Sequence, residues 1–552
     1  MLSATTAAEM RPPASAVATA HPLATAAAKE ILNQGGNAYD AAVAVAATLA
    51  VVEPYSSGLG GGGFWLLQQS DGKTTMIDAR EKAPLAAHAK LYLDDNGEPI
   101  KGASINGPLA AGIPGEPAGL VHLAKHYGRL KLSQSLAPAI KIARDGFAVD
   151  EIYRKMATLR LDALRASEEA ARIFLKDNEV PDLGHRIIQA DLAETLVLLG
   201  QKGTVGFYKG ALAEKLVKGV RDGGGIWQIE DLAQYQIVER DPIQLNYRGA
   251  KIISATLPSS GGIVMGIIFN TLTQLDAHKA DPITKIHYSV EAMRRAYRDR
   301  ADYLGDIDFV EVPINRLLST AYTRELAETI DAKQATPSSE LSKTEGNTAE
   351  SEHTTHYSII DSDGNRVAAT LSINYAFGSG FVVAGTGVLL NDEMDDFVVK
   401  PGVPNLYGLV GAKANEIAPA KRMLSSMSPT FVDDGKRFAV LGTPGGSRII
   451  TMVLSAIMRF LENDSAAEIV SARRYHHQYL PDEISFESGA FTADTRHALT
   501  ALGHRLKPYD GSYGNMQVVI WDYQQNKLDA AADPRGIGEA WIGDRELHRL
   551  LQ

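Results

Sequence analysis

The sequence predicts a protein of mixed helix and sheet, of the α+β class, and three observations carry that expectation. Ala-rich helical segments fill residues 16–53, helical patterning returns over 107–235, and strand-like patterning takes over after residue 355. At 552 residues the chain is long enough for three or four average domains, or for one large layered domain with insertions. With 45% hydrophobic and 22% charged residues, wholesale disorder and a collagen-like class are excluded.

Taken in order, residues 16–53 read as two helices parted by Gly35-Gly36-Asn37, where glycine supplies the left-handed turn that ends a helix. From Phe64 to Asp78, two apolar runs around Asp71-Gly72 signal a hairpin. Ile286, Val290, Met293 and Tyr297 mark one apolar face of a later helix. Residues 331–353 are polar and of low complexity, cannot feed a core, and read by composition as a linker. Thr354–Ile360 and Arg366–Asn374 read as two strands turning at Asp363-Gly364, with strand patterning continuing to about residue 445. That turn brings Ser372 and Asn374 back beside Thr354, although a slip of one residue in register would turn them away.

A net charge of -11 argues against a nucleic-acid partner, whose affinity would come from neutralised phosphates. The absence of cysteine excludes disulfides, thiolate metal sites and a cysteine nucleophile, so covalent catalysis must use oxygen or nitrogen. The longest apolar stretch, Ala41 to Val52, is too short to span a membrane. The first ten residues hold no Lys or Arg, and His21-Pro22 interrupts the apolar run that follows, so no secretory signal is read. The chain is expected to be either cytosolic or a mature form.

Familiar motifs fail on context. Gly58 to Gly63 matches GxGxxG formally, but a helix precedes it and a strand follows, the reverse of a dinucleotide site; close backbone packing is the better reading. There is no HExxH, and adjacent His476 and His477 would point to opposite faces of a strand, which argues against a catalytic metal. No GxSxG elbow occurs. The pair Gly445-Gly446 could offer two N–H groups to an oxyanion, or be a plain turn.

The blocks GLGGGGF (58–64), IDAREKAP (77–84), TTHYS (354–358), NDEMDDF (391–397), PGVPNLYGLVG (401–411), LSSMSPT (424–430) and GTPGGSRII (442–450) together resemble the γ-glutamyltransferase family of N-terminal nucleophile hydrolases, in the family's order, from about residue 16 to 540. The resemblance implies a four-layer αββα sandwich made as one precursor. That precursor cuts itself between His353 and Thr354 into a large subunit, 1–353, with 331–353 as a flexible tail, and a small subunit, 354–552. It implies Thr354 as nucleophile, with its freed α-amino group as base. Ser372 stands where Thr is common beside the nucleophile, and Gly445 and Gly446 form the oxyanion hole.

The same resemblance makes Arg80 the fork for the substrate α-carboxylate, helped by Ser425 and Ser426, and Asn374, Glu393 and Asp396 the partners of its amino group. Tyr407 becomes a lid. Glu393 replaces a frequent Gln, and Met423 a frequent Pro. The implied donors are γ-glutamyl amides such as glutathione or glutamine, and the acceptors water, amino acids or peptides. No cofactor is implied, and the location would be periplasmic or secreted. A glutaryl-type (cephalosporin) acylase is the alternative, against which Asn374, Glu393 and Asp396 speak.

Overall fold

The structure is a computed structural model and describes residues 11–341 and 353–543. Among these residues the two largest sheets are antiparallel. The seven-stranded sheet runs in the order Glu539–Ile542, Ala16–Thr19, Thr355–Ile360, Arg366–Ser372, Gly62–Gln68, Thr74–Ala79, Val238–Arg240. The six-stranded sheet runs Lys527–Ala532, Gln517–Asp522, Arg437–Gly442, Thr430–Asp433, Ala250–Ser254, Ile243–Tyr247.

Strand alternation builds the layers. Trp65, Leu67, Tyr357 and Ile359 point outward and pack with the helices Pro22–Asn33 and Ala38–Val52. Their neighbours Phe64, Leu66 and Ile360 point inward, against Val440 and Val519 of the second sheet. That sheet is covered outside by the helices Gly261–Gln274 and Ile449–Leu461. Because both faces of the central strands are buried, the strands read as nearly continuous apolar runs. The result is the expected αββα sandwich.

The first helix begins later than its alanines suggest. Ala16–Thr19 form a strand held on both sides, by Glu539–Ile542 and Thr355–Ile360, so ladder pairing overrides alanine's helix propensity. Ala38–Val52 is buried on every side and starts with a capping box in which Asn37 and Asp40 exchange hydrogen bonds. Residues 373–429, expected to be rich in strands, are mostly irregular with short 3-10 turns, because they wrap the site and do not extend a sheet.

The hairpin after Thr354 has its register set by its turn. The Asp361 carboxylate accepts the N–H groups of Asp363 and Asn365, both at 2.9 Å, while Gly364 takes a φ of +94°. Leu371 then lies opposite Thr355, which leaves Ser372 beside Thr354 at the open end.

Residues 331–341, expected as part of a flexible tail, are instead fastened; 342–352 lie outside the described residues. The Ala335 N–H donates to the Leu502 carbonyl, and Ser338 Oγ donates to the Tyr479 carbonyl at 2.7 Å. Arg294 donates to Ser338 Oγ at 2.7 Å and also pairs with Asp482. Polar partners thus hold a segment that adds little apolar surface of its own, the buried Ala335 and the partly buried Leu341. Beneath it, His287, Glu291 and His504 cluster, but His287 Nδ1 meets His504 Nε2 at 2.8 Å and Glu291 is paired with Arg294 and Arg295.

Candidate active site

Thr354 sits just before the central strand Thr355–Ile360, at the end where the two sheets part. Its hydroxyl donates to the carbonyl oxygen of His353, the residue before it, and lies 3.4 Å from Ser372 Oγ. Ser372 Oγ in turn accepts the Asn374 N–H at 2.8 Å. Asn374 takes a φ of +70°, a left-handed turn that ends the strand and aims its amide at the Asp392 carbonyl, 3.0 Å away. Gly61 makes this close approach possible, since a Cβ there would stand 2.1 Å from the Ser372 carbonyl oxygen.

A cleft opens from Thr354, lined by Ser372, Asn374, Glu393, Asp396, Tyr407, Ser425, Ser426 and Gly446. The hairpin, the 3-10 turn Glu393–Asp396, the loop before Thr430 and the turn Gly446–Arg448 therefore converge. Gly445 and Gly446, at φ of +139° and +54°, lead directly into the helix Ile449–Leu461, whose N-terminal N–H groups and dipole favour negative charge. Gly446 leaves room for the Tyr407 ring, which a Cβ would approach to 2.4 Å. Tyr407 Oη donates to the Asn374 carbonyl at 2.9 Å, so this ring bridges the two walls.

Arg80 is not on the cleft wall. It is fully buried behind it, donating to both Glu393 and Asp396 and, through Nε, to the Met423 carbonyl at 3.3 Å. Burial pushes the Glu393 carboxyl up to about 7 despite Arg80, and raises Asp396 in the same way; the facing acids hold Arg80 firmly protonated. Arg80 also pairs with its neighbour Glu81 at 3.4 Å, in the interior and not at the surface, because the strand Thr74–Ala79 delivers it there. Ser425 and Ser426 face the cleft, with Ser425 Oγ accepting the Met427 N–H at 3.1 Å.

This arrangement offers a hydroxyl nucleophile, N–H groups for an oxyanion, and a cluster of both charge signs for a zwitterionic head. The gamma-glutamyltranspeptidase family model matches residues 24–542. The chain belongs to the gamma-glutamyltranspeptidase family. It is 43% identical to the glutathione hydrolase proenzyme of Escherichia coli strain K12 over 96% of this chain and 91% of that one. The structure is similar to the cephalosporin acylase of Bacillus halodurans, with a TM-score of 0.82, 26% identity and 97% of each chain covered. It is also similar to the Helicobacter pylori gamma-glutamyltranspeptidase, with a TM-score of 0.56 and 40% identity over 58% of this chain and 92% of that one.

Within this transpeptidase fold the structure adds residues that sequence reasoning missed. Arg300, buried on the helix Pro282–Tyr303, donates to Ser426 Oγ at 3.2 Å and to Ser260 Oγ at 3.0 Å. It has no carboxylate partner in the ion pairs of the described residues, and it lines a second small cavity with Asp396. Nothing in its local sequence, one arginine among several in RRAYRDR, separates it from surface charge. Asn405 ties the Tyr407 loop to Asp396 at 3.3 Å, and Leu406 N–H donates to Asp395 at 2.9 Å. Among the described residues no helix is long and apolar enough to cross a membrane.

Proposed function

We propose that the chain is a self-processing γ-glutamyltransferase and glutathione hydrolase, with Thr354 as its nucleophile and 1–353 and 354–552 as its two subunits. The observation that carries this reading is the Thr354 hydroxyl resting on the carbonyl of His353 at the mouth of a cleft. Attack of that oxygen on the His353 carbonyl carbon moves the acyl group from nitrogen to oxygen. Water then cleaves the ester and leaves Thr354 with a free α-amino group. In the uncut chain that nitrogen is an amide and cannot act as a base, so processing must precede turnover.

In turnover, the amine accepts the Thr354 proton as Oγ attacks the γ-carbonyl of the donor. The developing oxyanion lies toward Gly445 and Gly446, and the amine product leaves with the returned proton. Water or an amino acid or peptide then takes the acyl group from Oγ. The donor's α-carboxylate and ammonium enter the Arg80, Glu393, Asp396 cluster together. As the carboxylate reaches Arg80, an acid released from it turns to the ammonium, so charge stays balanced. Ser425, Ser426 and Asn374 complete the hydrogen bonds, and Tyr407 covers the site. This reading requires no cofactor.

The similarity to a cephalosporin acylase keeps a glutaryl-type acylase as the second reading. A glutaryl group has no ammonium, and three groups suited to one, Asn374, Glu393 and Asp396, line the cleft. A periplasmic or secreted location is carried over from the family resemblance and is checked by cell fractionation. The deciding experiment is a denaturing gel with N-terminal sequencing, followed by kcat/KM for γ-glutamyl against glutaryl amides. Two bands, the smaller starting Thr-Thr-His-Tyr, and a preference for the γ-glutamyl amide are expected. One uncut active chain defeats the first claim, and a glutaryl preference defeats the second.

A further inference from the structure

A further cavity, on the other side of Thr354, shares that residue with the cleft and no other lining residue. His353 lines it too, so the peptide bond between 353 and 354 borders it. Its wall holds Glu53, at the end of the helix Ala38–Val52, 3% exposed and with no ion-pair partner in the described residues. Glu53 Oε2 accepts the hydroxyl of Thr355 at 2.8 Å, which fixes the carboxylate one residue from the nucleophile. Beside it the Tyr55 hydroxyl is buried and has no hydrogen-bond partner among the described residues. A buried, unpaired carboxyl and an idle phenol facing a cavity form a site made for a cation or a hydrogen-bonding amine.

We propose that Glu53 is the counter-charge and positioning residue for the α-amino group released at Thr354, an inference that rests on the self-cleavage reading above. Cutting the chain replaces a neutral amide at this cavity with an amine that is part ammonium near neutral pH. A buried ammonium needs an anion or a full set of acceptors, and Glu53 supplies the anion. The pair then aims the amine, while Thr355 aims Glu53. Burial holds the Glu53 carboxyl up at about 7, close to the ordinary range of an α-amine, so the two exchange a proton easily. The other groups facing it do not replace it. Asp150 sits near His21, at 4.0 Å; Arg535 is committed to Glu487 and Asp533; Tyr153 is bonded to the Phe174 carbonyl; Lys155 is an exposed cation at the rim. His353 packs its ring on Tyr375, 5.0 Å between centroids, and burial keeps it neutral.

The test reads the amine directly. Cut, purified protein is treated with cyanate, which reacts with neutral amines, across about pH 5 to 9, and carbamoylation of the small-subunit N-terminus is followed by mass spectrometry. A carboxylate stabilises the ammonium, so the titration midpoint in Glu53→Gln should fall by about one unit from that of the parent. Thr355→Val, which keeps Glu53 but removes the bond that aims and ionises it, should move the midpoint the same way by less, and serves if Glu53→Gln fails to fold. Unchanged midpoints in the variants overturn the inference. A parent with no fragment beginning at Thr354 instead overturns the self-cleavage reading, and the same spectra distinguish the two outcomes.

Discussion

Under the proposed function, Thr354 serves two reactions in one place. Its hydroxyl touches the bond to be cut and also borders the cleft where a donor would lie. Thr354→Ala is therefore expected to give a single uncut band with no glutamyl transfer; a variant that still yields two bands removes Thr354 from the role. Arg80 is the more instructive residue because it is buried, forked between Glu393 and Asp396. A lysine keeps the charge but serves one partner at a time, leaving a buried acid short of a hydrogen bond. Arg80→Lys should raise KM for γ-glutamyl donors by about tenfold or more, and an unchanged KM in steady-state assays would place donor recognition elsewhere.

Among the elements, the segment Pro401 to Gly408 carries the lid argument. Its Tyr407 ring lies on Gly446 and bonds Asn374, while Asn405 and Leu406 hold on to Asp396 and Asp395. Water far outnumbers any acceptor amine, so transfer needs a shielded acyl-enzyme. Tyr407→Ala should shift partitioning toward hydrolysis, measured with a fixed dipeptide acceptor, while processing continues. The helix Glu116–His126 offers a stability test. Glu116 is fully buried, and burial lifts its carboxyl from 4.5 to about 8. Because its folded pKa lies above the ordinary one, ionisation disfavours the fold, by an amount that grows as pH rises from 4.5 to about 8. Glu116→Gln should therefore stabilise by a few kcal/mol at about pH 8, with the gain vanishing near about pH 4, as read by Tm at each pH.

The whole molecule shows why a cut after His353 need not separate the pieces. In the larger sheet, Thr355–Ile360 lies between Ala16–Thr19 and Arg366–Ser372, and Arg366–Ser372 pairs in turn with Gly62–Gln68. In the other sheet Thr430–Asp433 pairs with Ala250–Ser254. Strands from both sides of the cut are hydrogen-bonded to one another in both sheets, and the segment before Leu341 is bonded to Tyr479, Asp482 and Leu502. The cleaved protein should elute at the size of the intact 59.3 kDa chain in size-exclusion chromatography and part only in denaturant. Elution as two separate peaks in native buffer would contradict this.

The sequence by itself determined the α+β class, the hairpin after Thr354 and, through seven ordered blocks, the family, from which the expected site residues follow. These are local properties: alternation, turn chemistry and short motifs are written in neighbouring residues. The polar cluster of Thr354, Ser372 and Asn374 was legible once the hairpin was seen, but its register was not, because Asp361 had to bond Asp363 and Asn365 to set it. Tertiary structure alone decided that Ala16–Thr19 is a strand, that Arg80 lies behind the cleft wall, that residues 331–341 are fastened, that Arg300 reaches Ser426 and that Glu53 is bonded beside Thr354. Each depends on contacts between residues tens to hundreds of positions apart. A side chain's burial and partners are properties of that packing, which no local pattern encodes.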